Sequence, residues 1–255
     1  MSDTVLIAQI TDCHLQNDPE QLYRGLDVEQ HLDAVLEDLF HPAEFSRPPD
    51  LILWTGDLIH HGGPQGYLRL QQRLAQLPVP SYWIPGNHDD TALMMQIGGA
   101  LNLRTLECGE WVIILLDSTS LPDGKGSGTL AQNELDYLQQ QLNQYSDRHC
   151  LVVLHHNPVK VQSGWQDSIM LANAASFWEV LHNYSQAKAV VCGHVHQDWD
   201  LDWQGVRVLM TPASSVEFKK CSDQFQLDDD KKPAYRLLEL RSDGQIQTSV
   251  KRVRC

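Results

Sequence analysis

Short apolar runs alternate with amphipathic stretches over the first three quarters of the chain. Val5-Leu6-Ile7-Ala8-Gln9-Ile10 is apolar almost throughout, as expected of a strand whose sheet is covered on both faces. Residues 26–40 then place Val28, Leu32, Val35, Leu36 and Leu39 on one helical face, with Asp27 and Gln30 at capping-box spacing. Leu51-Ile52-Leu53-Trp54 is the next strand, after the Pro48-Pro49 break. The spacing of Tyr67, Leu70, Leu74 and Leu77 predicts a helix over residues 66–77, ended by Pro78 and Pro80, and Tyr82-Trp83-Ile84 follows as a short strand. Residues 111–116 read as a buried strand. Thr129 opens a helix carrying Leu135, Leu138 and Leu142, with Gln132 completing the cap signal. Leu151-Val152-Val153-Leu154 and Ala189-Val190-Val191-Cys192 are strands on either side of a helix marked by Phe177, Val180, Leu181 and Tyr184.

Beyond residue 200 the helices stop. Residues 201–203, 206–210, 235–240 and 246–250 read as strands joined by turns at Gln204-Gly205 and Asp243-Gly244, a β-meander after a β-α-β first half. A pair of mixed sheets flanked by helices in one domain, residues 1–255, is the most economical α/β architecture. The charged stretch 219–232 is expected to be a surface loop.

Five fragments sit at the ends of the strand-like runs: Asp12-Cys13-His14, Gly56-Asp57, Gly86-Asn87-His88-Asp89, His155-His156 and Gly193-His194-Val195-His196. In open α/β sheets the loops beyond the strand carboxyl ends converge on a crevice, so groups distant in sequence can meet there. Asp12 with His14, and His194 with His196, are i, i+2 pairs that an extended segment would present on one side. Gly56 lets Asp57 approach closely as a bridging carboxylate, and Asn87 offers a neutral oxygen after the tight turn Pro85-Gly86. With one imidazole of the His155-His156 pair, the set comprises two carboxylates, an amide oxygen and four imidazoles, enough for two divalent metals. Imidazole and carboxylate without thiolate fit Mn, Fe, Zn or Co better than the all-oxygen shells of Ca or Mg, and iron and manganese are placed ahead of zinc and cobalt. Two such ions act as a clamp for in-line displacement at phosphorus and generate hydroxide near neutral pH. His88 is not needed as a ligand, which frees it to contact a phosphoryl group and protonate the leaving oxygen.

Composition narrows the partners. The net charge of −14 counts against nucleic acid and against an anionic membrane surface. No apolar run approaches the roughly 20 residues that span a bilayer, and no signal peptide is evident, so the cytoplasm is the expected location. The six cysteines form no C-x-x-C pair. Cys13, between two proposed ligands, should point away from them. His31, His41, His60, His61, His149 and His182 lie outside the pattern and are read as surface or packing residues; His60 and His61, just past Asp57, are near enough to line the pocket, but nothing singles them out.

The fragments resemble the D-x-H, G-D, G-N-H-[DE], H and G-H-x-H pattern of the calcineurin-like metallophosphoesterase superfamily. The stretches Gln9-Ile10-Thr11-Asp12-Cys13-His14, Trp83-Ile84-Pro85-Gly86-Asn87-His88-Asp89 and Cys192-Gly193-His194-Val195-His196-Gln197 resemble bacterial class III 3′,5′-cyclic-AMP phosphodiesterases of the CpdA type. The resemblance implies a four-layer α/β/β/α sandwich, the metallo-dependent phosphatase fold. It implies one metal held by Asp12, His14, Asp57 and His196 and a second by Asp57, Asn87, His155 and His194. Asn87 and His88 would hold the phosphate, with His14, Asp57 and His196 also lining the nucleotide site, and cyclic AMP would be opened to 5′-AMP. Many relatives carry a further histidine where Asn157 stands.

Other readings remain on the same residues. A diesterase acting on glycerophosphodiesters or 2′,3′-cyclic nucleotides is the nearest rival, and a non-catalytic metal- or nucleotide-binding sensor is the alternative from another class. A protein serine/threonine phosphatase would show Asp-Arg-Gly after the Gly-Asp, where this chain has Leu58-Ile59-His60. A lipid-precursor pyrophosphatase would carry Arg in place of His88.

Overall fold

The structure, a computed structural model, describes residues 4–41, 47–228 and 232–254. The first half runs β1 (Thr4–Ile10), α1 (Val28–Phe40), β2 (Leu51–Thr55), α2 (Pro64–Leu74), β3 (Ser81–Ile84), α3 (Thr91–Gly98), β4 (Thr105–Cys108) and β5 (Trp111–Leu115). It continues through α4 (Gln132–Gln144), β6 (His149–Val153), the short α5 (Gly164–Asp167), α6 (Ala174–Leu181) and β7 (Ala187–Cys192). Two hairpins follow, β8 (Trp199–Trp203) with β9 (Val206–Met210), and β10 (Ala234–Arg241) with β11 (Ile246–Arg252).

The strands form two sheets, ordered β11-β10-β1-β2-β3 and β4-β5-β6-β7-β9-β8. β1, β2 and β3 run parallel, as do β5, β6, β7 and β9. Alternation along the strands sorts their side chains into separate apolar layers. Ile7, Leu51, Leu53 and Leu238 of one sheet meet Ile113, Leu151, Val191 and Leu209 of the other. The outer face of the first sheet, with Ile10, Ile52 and Trp54, packs on Leu32, Val35 and Leu39 of α1 and Tyr67 and Leu70 of α2. Val112, Val152, Val190 and Val208 pack outward on Leu135, Leu138 and Leu142 of α4 and Phe177 of α6. The result is a four-layer α/β/β/α sandwich.

Local chemistry sets several boundaries. Asp27 caps α1 by accepting from the Gln30 N–H at 3.0 Å, as its spacing predicts. The helix expected over 66–77 starts earlier and stops earlier: Pro64 stands at its first position, and the chain leaves the helix after Leu74, ahead of the Pro78 and Pro80 segment. Thr129 does not open α4. Its backbone pairs with Ser120, and the helix starts at Gln132. The expected meander is also corrected. β8 and β9 extend the second sheet, whereas β10 crosses to the first and pairs antiparallel with β1. Of the stretch 219–232, residues 229–231 lie outside the described residues; the nearer part folds back on itself through pairing of Phe218 with Leu227 and a 2.9 Å bond from Lys219 N–H to Gln226 O.

The layer between the sheets carries one polar thread. The buried Arg236 of β10 donates to Thr211 Oγ1 (3.0 Å), Thr248 Oγ1 (3.0 Å), Met210 O (2.9 Å) and Asp198 Oδ1 (2.6 Å). Thr211 hydrogen-bonds Gln9 of β1, whose amide donates to Thr55 Oγ1 at 2.8 Å. The thread ends beneath the loops that follow β1, β2 and β7.

Candidate metal centre

Five parallel strands, three from one sheet and two from the other, end at the same edge of the sandwich, and the five sequence fragments follow them. The loops are stitched by main-chain bonds: Asp12 N–H to Gly56 O (3.0 Å) and His14 N–H to Asp57 O (2.9 Å). The segments are not extended, contrary to the i, i+2 expectation. Asp12 (φ 51°), His14 (47°), Asp57 (52°), His194 (70°) and His196 (51°) all adopt left-handed backbone. Non-glycine residues enter that region rarely, and such strain collects at functional sites. Alternating left-handed residues still turn each pair to one side, and the intervening Cys13 and Val195 are buried in the outer apolar layers. Burial pushes the Cys13 thiol up to about 12, so it is a core residue and not a thiolate.

Among the described residues two buried clusters result, beside a half-buried third of His14, His60 and His88. One donor atom from each of Asp12, His14, Asp57 and His196 lies within 4.8 Å of every other, and the same holds for Asp57, His155 and His194. Asp57 belongs to both. Its Oδ2 is 3.7 Å from His14 Nε2 and 3.4 Å from His155 Nε2, while its Oδ1 accepts from the His88 backbone N–H at 2.8 Å. Asn87 Oδ1 lies 3.2 Å from His155 Nε2, beside the second cluster. Gly56 permits this closeness: at φ +94°, a β-carbon there would fall 2.4 Å from His155 Nδ1.

The chemistry of the donors fits cations. A backbone carbonyl can only accept, so it fixes the tautomer of the imidazole bonded to it. Thr55 O takes the Nδ1 proton of His155 (2.8 Å), Val216 O that of His196 (2.7 Å), and Ile169 O the Nε2 proton of His194 (3.0 Å). In the neutral ring the other nitrogen then presents a lone pair to the cluster. His196 Nε2 faces Asp12 Oδ1 at 3.2 Å and His14 Nε2 at 3.1 Å, an arrangement of lone pairs that a positive ion would satisfy. Burial drives the pKa of His14 far down and that of His194 to about 3, favouring unprotonated, ligating rings. His155 goes the other way. Burial opposes its protonation, but the Asp57 carboxylate outweighs it and lifts the pKa to about 9, so a proton competes there for the place of a metal.

His88 stands at the rim, its pKa lowered by burial against the pull of Asp57. His60 and His61, expected near enough to the pocket to line it but given no role by the sequence, lie beside it, His60 half-buried and His61 exposed. His61 Nε2 is 2.7 Å from His88 Nδ1, and His60 Nδ1 is 3.0 Å from His14 Nδ1. Doublet histidines just after Gly56-Asp57 were the available signal. Asp89, unassigned from sequence, is a half-buried brace: it accepts from Ile59 N–H and Gly86 N–H, both at 2.9 Å, and from the Tyr67 hydroxyl at 3.1 Å. Asn157 is buried, with its amide donating to Val159 O at 2.7 Å.

Comparison with known proteins agrees with this geometry. The model of the calcineurin-like phosphoesterase family matches residues 5–198. The chain is 37% identical over 254 residues to the 3′,5′-cyclic adenosine monophosphate phosphodiesterase of Escherichia coli K12, covering 98% of this chain and 90% of that protein. A 3′,5′-cyclic-nucleotide phosphodiesterase of Nostoc is 35% identical over 253 residues, with 98% and 92% covered. Among solved structures, a dimetal phosphatase from Danio rerio superposes with a TM-score of 0.60 at 13% identity, covering 98% of this chain and 99% of that one, a likeness of fold.

Proposed function

Because the chain belongs to the calcineurin-like phosphoesterase family, a family of hydrolases, we propose that it hydrolyses 3′,5′-cyclic AMP to 5′-AMP, with residues 1–255 acting as one catalytic domain. The observation that carries the reading is the pair of buried donor clusters sharing Asp57. The names of relatives 35–37% identical over nearly the whole chain support the substrate.

Asp12, His14, Asp57 and His196 would hold one ion, and Asp57, Asn87, His155 and His194 the other, with iron or manganese the metals of choice for this donor set and zinc or cobalt behind them. Two such ions, when bound, would neutralise phosphoryl charge and make water acidic enough to ionise near neutral pH. The protein's own groups do the rest. The Thr55, Val216 and Ile169 carbonyls keep three imidazoles in ligating tautomers. Asn87 and His88, on the turn braced by Asp89, would bind the phosphoryl oxygens.

Formation of 5′-AMP requires cleavage of the bond between phosphorus and O3′, so O3′ must gain a proton. His88 supplies it. With His61 Nε2–H donating to His88 Nδ1, the Nε2 proton of His88 is directed to the substrate, whose phosphoryl charge raises the basicity of the ring it touches. The test is metal-reconstituted protein incubated with 3′,5′-cAMP, 3′,5′-cGMP, 2′,3′-cAMP and a glycerophosphodiester, with products identified. Release of 5′-AMP from 3′,5′-cAMP at a kcat/KM above those for 2′,3′-cAMP and the glycerophosphodiester is expected. Preference for the 2′,3′-cyclic or glycerol diester would replace this substrate with its rival.

A further inference from the structure

A closed circuit of side chains walls one side of the first donor cluster. His14 and His196 stand 5.0 Å apart between ring centroids. Tyr23 stacks flat on His14 (4.5 Å, 8°), and Phe218 flat on His196 (4.0 Å, 16°). An outer pair joins these two supports. The Arg24 guanidinium bonds the Tyr23 hydroxyl at 3.2 Å and lies 4.4 Å from the centre of the Phe225 ring, and Phe225 meets Phe218 edge-on at 5.2 Å.

The inner pair is buried and serves the histidines. The outer pair is exposed, Phe225 by 44%. Phe225 therefore contributes little to the apolar core, yet Trp165 packs edge-on against it at 5.4 Å and fixes its plane. Arg24 is held in left-handed backbone (φ 50°) at the tip of the turn closed by Tyr23 and Leu26. Two planar groups, one aromatic and one cationic, thus stand immediately outside two proposed ligands, on loops that follow the first and last metal fragments. Their mutual stacking occupies faces that a flat ligand could take over.

We propose that Phe225 and Arg24 form the platform for the purine base, which enters between them, stacking on the Phe225 ring with the Arg24 guanidinium held over its other face by cation–π attraction. This rests on the cyclic-nucleotide reading above and extends it to base recognition. Stacking on an aromatic face is tolerant of base identity because every base has a π face, so the platform serves adenine and guanine alike.

The test is calorimetric binding of 5′-AMP and, separately, of inorganic phosphate to manganese-loaded full-length protein. Wild-type protein should bind 5′-AMP more tightly than phosphate. Phe225→Ala should weaken 5′-AMP roughly tenfold, and Arg24→Ala should weaken it in the same direction. Both should leave phosphate within about twofold, the scatter of uncoupled sites. Phe225→Tyr should restore 5′-AMP binding. The proposal is overturned if wild type binds 5′-AMP no better than phosphate, if 5′-AMP binding survives both alanine variants, or if both variants weaken the two ligands equally. Protein that binds 5′-AMP as described but leaves cyclic AMP intact would refute the proposed reaction and spare the platform.

Discussion

Nε2 of His14 and Nε2 of His196 face each other across 3.1 Å inside the protein, with Asp12 and Asp57 carboxylates beside them. The Val216 carbonyl holds the proton of His196 on the far side of its ring, so the facing nitrogen is a lone pair in the neutral ring. The fold concentrates metal-ligating atoms where a cation would bind. Metal binding should therefore be linked to stability as well as to turnover.

Chelation supplies the first prediction. Manganese at a hundred times its dissociation constant stabilises a folded site by about 2.7 kcal/mol, equivalent to roughly 5–10 °C in Tm for a domain of this size. Dialysis against EDTA should lower Tm by that order and abolish hydrolysis, and added manganese should restore both. A Tm that ignores the metal while activity follows it would mean the donor set is not what binds the ion.

Asp57 serves both clusters, so its loss should not be graded. Asp57→Ala is expected to deplete metal and turnover together, as read by elemental analysis beside kinetics. Retention of two ions per chain in the purified variant would refute the bridging assignment.

Gly56→Ala tests the backbone geometry without replacing a proposed ligand. The added methyl would sit 2.4 Å from His155 Nδ1 and 2.8 Å from Gly86 N, at a φ of +94° that alanine resists. His155 must then leave the Thr55 carbonyl. The variant should lose about 1–3 kcal/mol of stability, the usual cost of strained backbone, and bind metal more weakly. Wild-type metal content and Tm together would show that the loop has slack the distances deny.

The sequence made the ligand fragments legible because their placement follows from strand period: an apolar run ends, and the next polar residues lie at the sheet edge. Asp27 was legible as a cap for a similar local reason. What escaped was non-local or carried by the main chain. Any residue can offer a carbonyl, so nothing in Thr55, Val216 or Ile169 announces that it sets a histidine tautomer. β10 reads as the next strand of a meander, and only the competition between two sheets for an edge sends it to β1. Helix α3 is short, its Met95 is 61% exposed, and its clearest mark is Asp90 accepting from Leu93 N–H. His60 and His61 could be placed near the pocket but given no role, because their contacts with His14 and His88 exist only once the loop after β2 has folded.

Arg236 illustrates the same limit with a stability consequence. It sits in an apolar strand run, yet its guanidinium satisfies Thr211, Thr248, Met210 O and Asp198 between the sheets. Arg236→Ala withdraws a hydrogen bond from each of those acceptors and leaves a void in their midst, and should cost about 2–5 kcal/mol in denaturant unfolding. Arg236→Met refills the volume and should recover part of the loss. A loss below about 1 kcal/mol for the alanine variant would show the thread to be incidental.

His88 and His61 allow the chemical step to be separated from metal binding. His88→Ala removes a ring that meets His14 edge-on at 5.1 Å but belongs to neither buried donor cluster, and the backbone N–H that holds Asp57 is kept by alanine. Two ions should stay bound while kcat falls by roughly 10²–10⁴-fold, the range for loss of a general acid. His61 acts one residue removed, by orienting the His88 ring across 2.7 Å. His61→Gln, whose amide can still donate, should therefore retain more turnover than His61→Leu, with KM and metal content alike in the two. Equal kcat in the glutamine and leucine variants would remove His61 from the orientation of the acid, and unchanged kcat in His88→Ala would remove the acid itself.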